Sequence, residues 1–145
     1  MASTPTLAKK LRAVETDGMP DFSALLSILK YLRRCRARRP HLVLRYARLA
    51  LRHNRYVLRL TDVDKWAIVE QAFLAALDLH EFDRAAEFLT KLDRKFPGAT
   101  RVARLKVVAK HNYLDFRFLK RSNLILSRLL FVGYEDGGSL SLFRS

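Results

Sequence analysis

A single cysteine, Cys35, five glycines and four prolines are all that this 145-residue chain contains of the residues that staple or punctuate folds. One thiol cannot close an intrachain disulfide, so a disulfide-built secreted scaffold is excluded and a reducing compartment fits better. Such scarcity of Gly and Pro excludes collagen-like and low-complexity chains and counts against turn-dense all-β architectures. Charged residues interrupt every apolar run well before the ~20 residues that a membrane-crossing helix needs. Residues 1–20 lack an apolar signal-peptide core despite Lys9, Lys10 and Arg12, and Glu15 and Asp17 count against a mitochondrial leader. A flexible cytosolic tail is the expectation there.

The most telling scarcity is of negative charge. Between Phe22 and Leu60 stand eleven Lys or Arg and no Asp or Glu, whereas Thr61 to Gly98 has five basic and eight acidic residues. One 39-residue segment therefore carries +11 of the formal net charge of +14. What the chain does have is apolar material: 50% of its residues are hydrophobic, enough for one domain with a sizeable core.

Asp21 is a plausible N-cap for an amphipathic helix over 22 to about 38, with Leu25, Leu26, Ile28, Leu29 and Leu32 at helical spacings, and Pro40 marks its end. From His41 a second helical pattern begins. Its arginines Arg45, Arg48, Arg52, Arg55 and Arg59 recur at steps of three and four, which on a continuous helix confines them to an arc of about 80°. His53-Asn54 can break that helix after three turns, so its second half stays open. Thr61, Asp62 or Asp64 can cap a third helix with Trp66, Val69, Ala72, Phe73 and Ala76 on its apolar ridge. The polar pair His80-Glu81 leads into a fourth from Phe82 to Lys95, and Phe96-Pro97-Gly98 stops it. So short a turn predicts an antiparallel hairpin.

That hairpin has the ~34-residue period of a tetratricopeptide repeat. Aligning Pro97 with the repeat's terminal proline puts Ala85 at its small mid-helix position and Leu89 at its large apolar one. The first helix, to which Trp66 and Phe73 belong, fits less well, since Val69, Ala72, Phe73 and Ala76 stand where the repeat usually has Trp, Leu, Gly and Tyr. The fold class expected is all-α, with antiparallel hairpins of tetratricopeptide-repeat type forming a short solenoid over 21–106. The aromatic ridge Trp66, Phe73, Phe82, Phe88 and Phe96 is expected to be core rather than a base-stacking platform.

No catalytic set is visible. His41, His53, His80 and His111 are each at least 12 residues apart and lack partners at metal-ligand spacing. Cys35 has no nearby His to activate it, and the glycines form no phosphate-cradling loop. The expectation is no enzyme, no cofactor and no small-molecule substrate. The basic run Arg33, Arg34, Arg36, Arg38 and Arg39, together with the stripe Arg45 to Arg59, is either a solvated surface or a contact site for an acidic protein, lipid headgroups or, least favoured, nucleic acid.

The run from Trp66 through Glu70-Gln71 and Ala75-Ala76-Leu77-Asp78, followed by Phe96-Pro97-Gly98, Arg101-Val102 and Arg104-Leu105, resembles the family of subunit 2 of the endoplasmic-reticulum membrane protein complex. The close resemblance covers 62–106, and the helices from 21 to 60 suit the family's N-terminal region. It implies a non-enzymatic scaffold, peripheral on the cytosolic face of the endoplasmic reticulum, that binds other subunits of a membrane-protein insertase. The alternative is a basic helical module for nucleic acid or for a membrane surface. After Lys106 the pattern stops, and 107–145 read as a divergent C-terminal extension, with no helical period from Val132 and with an isoform, a gene-model error and an evolved shortening all open. Leu105, Val107, Val108, Tyr113, Phe116, Phe118 and Leu119 are apolar enough to fold back over the 82–96 helix as a cap.

Overall fold

A computed structural model describes residues 4–15, 19–35 and 38–135, with side chains through Arg117. Among the described residues there are helices and no strands: α1 (Thr4–Glu15), α2 (Phe22–Arg34), α3 (Pro40–Arg52), the single turn α4 (Asn54–Val57), α5 (Asp62–Asp78), α6 (Phe82–Lys95) and α7 (Thr100–Glu135). The chain divides into two units, Met1–Lys106 and Val107–Ser145.

Local chemistry sets most of these boundaries. The Asp21 carboxylate accepts the Ser23 N–H at 3.0 Å and opens α2, satisfying one of the donors that a helix start leaves unpaired. Pro40 sits at the first position of α3, where its missing N–H costs nothing. The Thr61 hydroxyl accepts the Asp64 N–H at 3.2 Å and caps α5. At the other end of α5, His80 takes φ 57°. Its N–H reaches the Leu77 carbonyl while the Glu81 N–H reaches that of Ala76, the pair of bonds that terminates a helix through a left-handed residue. Gly98, at φ 72°, serves the turn between α6 and α7.

Packing within the first unit follows chain order. Helix α5 lies against α3 and α6, its most extensive partners, so it is apolar around most of its circumference, as a helix covered from two sides must be. Ile68, Val69, Ala72, Phe73, Ala75, Ala76 and Leu77 are all buried. From α3 come Val43, Leu44, Tyr46, Ala47 and Ala50, and from α6 Ala85, Phe88 and Leu92. Helix α2 is tied to α5 by polar bonds: Gln71 donates from Nε2 to the Leu29 carbonyl and accepts from Arg33, both at 3.2 Å, and Lys30 lies 3.2 Å from Asp64. The first turns of α7 add Val102 and Leu105, both buried, with ion pairs Arg101–Glu70 at 2.9 Å and Lys106–Asp93 at 2.8 Å.

Four features differ from the sequence reading. Helix α2 ends at Arg34 rather than near residue 38, and Arg39 takes the extended φ −126° that the following proline favours. Residues 4–15, read as part of a tail, form α1, with Val14 buried and the Lys10 ammonium bonded to the Ser27 hydroxyl at 2.8 Å. The segment after Lys106 continues α7 to Glu135, past the point where no helical period was read. Of the residues suggested as a cap, Leu105 is buried while Val107, Val108 and Tyr113 are exposed. Phe118 and Leu119 lie outside the described side chains.

Candidate partner-binding groove

The arginine stripe does not survive as one line. His53 donates its N–H to the Leu49 carbonyl and then takes ψ 118°, which ends α3 after Arg52. The tertiary structure supplies the reason. Tyr56, 1% exposed, turns inward, and its hydroxyl donates to the Pro20 carbonyl, which a straight continuation of α3 would not allow. Arg55 thus falls on α4 and Arg59 in the following turn, where its guanidinium sits 4.7 Å from the Phe22 ring centre.

Arg45, Arg48 and Arg52 remain together because α3 commits its apolar face to the core. They line a groove of about 570 Å³, with His41, Leu44, Leu49 and His53 from the same stretch and Leu79, Glu81 and Arg84 from the α5–α6 turn and the start of α6. Arg84 is bonded to the Glu81 carboxylate. The groove is therefore walled on two sides and rich in cations, with leucine side chains between. Arg45 also lies over the Tyr46 ring, 5.7 Å from its centre. Burial, and then the Glu15 carboxylate, raise the Tyr46 hydroxyl above its ordinary value.

The other basic residues serve different ends. Arg33 is drawn into the brace on Gln71, where desolvation lowers its guanidinium pKa against the opposing pull of Asp64 and Glu70. Arg34 closes α2 beside a second groove between α1 and α2, where a cation complements the helix C-terminus. Arg38 and Arg39 are exposed in the connection to α3, and Arg36 lies outside the described residues. The structure thus gathers three of the ten arginines into the groove and adds Arg84, His41 and His53.

Of the repeat-structural residues, Phe73 and Ala85 are buried, Leu89 is half-buried and Pro97 is exposed in its turn. Trp66 meets Phe96 edge-to-face at 5.6 Å, with Lys65 and Lys95 each under 6 Å from its ring centre at 5.4 and 5.7 Å. The ridge is therefore graded, with Phe73 and Phe88 in the core and Phe96 40% exposed at the rim of a groove shared with Val102 and Leu105. Among the described residues no cluster of three or more His, Cys, Asp or Glu side chains could hold a metal, and no helix is long and apolar enough to cross a membrane.

No protein-family model matches this sequence. Over 52 residues, 36% of the chain, it is 46% identical to ER membrane protein complex subunit 2-B of Xenopus laevis, and the matched stretch is 17% of that relative's length. Part of the chain is thus similar to a subunit of a multi-subunit complex of the endoplasmic reticulum.

Proposed function

We propose that the chain is a non-enzymatic adaptor of the ER membrane protein complex, peripheral on the cytosolic face of the endoplasmic reticulum, where it supports insertion of transmembrane proteins by holding other subunits together. The observation that carries this reading is the 46% identity over 52 residues to a subunit of that complex. The stacked order of α3, α5, α6 and the first turns of α7 is compatible with hairpins of tetratricopeptide-repeat type, which present side chains to partner proteins along a shallow surface. In this reading Arg45, Arg48 and Arg52, which line the groove, belong to the partner-facing side. Residues 21–106 are the repeat domain and 107–145 an extension.

Affinity purification of the tagged chain from cells, with and without nuclease, tests the proposal. Recovery of subunits of the complex, unchanged by nuclease, is the expected result. Recovery of RNA or DNA alone, lost on nuclease treatment, would replace the adaptor with a nucleic-acid-binding module. Salt-sensitive binding to anionic vesicles with no protein partner would replace it with a peripheral membrane module.

A further inference from the structure

The groove along α3 is a charged surface that the chain does not neutralise for itself. Among the described residues, Arg45, Arg48 and Arg52 have no ion-pair partner, and three carboxylates of the following helices are engaged with other cations: Asp64 with Lys30, Glu70 with Arg101 and Asp93 with Lys106. Glu81, the one carboxylate lining the groove, is held by Arg84. No acidic residue occurs from Phe22 to Leu60 to supply another. Three guanidinium groups over about 10 Å of helix, at 1.5 Å per residue, repel one another, a repulsion that salt screens and that an anionic occupant offsets directly.

We propose that this groove seats an acidic amphipathic helix of a partner protein, whose carboxylates at steps of three and four pair with Arg45, Arg48 and Arg52 while its apolar side chains meet Leu49. The proposal rests on the adaptor reading and names the chemistry of one of its contacts. Step spacing matches because both surfaces are helical. A flat lipid surface cannot follow a concave groove walled by Glu81 and Arg84. Nucleic acid fits the groove less well: no Phe, Tyr or Trp lines it, and its only rings are the imidazoles of His41 and His53.

The test is fluorescence anisotropy on the full chain with a labelled helical peptide carrying Glu at i, i+3 and i+7 and Leu between them. The Glu peptide should bind, and its Gln counterpart should bind about tenfold more weakly, the combined effect of three exposed ion pairs. The triple variant Arg45→Gln, Arg48→Gln, Arg52→Gln should lose the same factor and keep its circular dichroism. Arg55→Gln with Arg59→Gln, which removes charge outside the groove, should leave binding within about twofold of the parent at fixed salt. Equal losses from both variants, or equal binding of both peptides, would overturn the proposal. So would arginine-dependent binding of phosphatidylserine vesicles or an RNA oligonucleotide in place of the peptide. Because the assay contains no other subunit, peptide binding without co-purification of the complex overturns the adaptor reading alone. Intact co-purification with no peptide binding overturns this proposal alone.

Discussion

Arg84 holds the Glu81 carboxylate at the mouth of the arginine groove. The side chain that could have neutralised α3 from within the fold is therefore engaged before a partner arrives. Glu81→Gln removes that carboxylate and releases Arg84 toward the groove. Binding of the acidic peptide should tighten by about two- to fivefold, the range of one exposed ion pair, as read in the same anisotropy titration. Unchanged affinity would mean that Arg84 does not face the occupant.

His80→Gly should stabilise the protein. The backbone at 80 is left-handed, at φ 57°, a conformation that costs an L side chain roughly 1–2 kcal/mol and glycine nothing. Loss of the imidazole's contact with Phe82, whose ring centre is 5.9 Å away, and the added freedom of glycine in the unfolded chain both oppose the gain. The net is about +0.5 kcal/mol, or about 2 °C in Tm for a chain of this size, measurable by differential scanning calorimetry.

Tyr46 makes stability fall at alkaline pH. Its hydroxyl titrates above the ordinary 10.0, first through burial and then through the Glu15 carboxylate. The folded chain thus holds this proton more tightly than the unfolded chain does. The associated stability is complete below about pH 10 and is lost as pH rises through the unfolded value toward the folded one. Urea midpoints from about pH 8 to about pH 11 should decline less steeply in Tyr46→Phe than in the parent, and parallel declines would remove Tyr46 as a cause.

Tyr56→Phe should cost about 1 kcal/mol, because it strands the Pro20 carbonyl that the hydroxyl now satisfies. Chemical denaturation would show a lower midpoint with an unchanged slope. A loss below ~0.3 kcal/mol, well under a usual hydrogen bond, would mean that water replaces the hydroxyl.

What the sequence by itself determined is what neighbouring residues can settle among themselves. Asp21, Pro40, Thr61 and Phe96-Pro97-Gly98 mark helix ends because caps, missing donors and left-handed glycines act within a few residues. The apolar stripes of α2, α3, α5 and α6 were legible because burial follows the helical period. The similarity that motivates the function was legible too, since it resides in a run of residue identities. The break at His53 stays open on sequence alone, since His53-Asn54 can end a helix while the arginine period continues unbroken through Arg59. It depends on Tyr56 reaching Pro20, 36 residues earlier. Helix α1 carries only a weak pattern and takes its place through Val14 and through Lys10 on Ser27. The groove shows the same division. Arg45, Arg48 and Arg52 follow from the spacing of three and four, but their opposite wall, Glu81 and Arg84, comes from beyond an entire intervening helix. Only the packing of α5 against both α3 and α6 brings those residues to one cleft, because long-range burial, which no local pattern encodes, decides which faces meet.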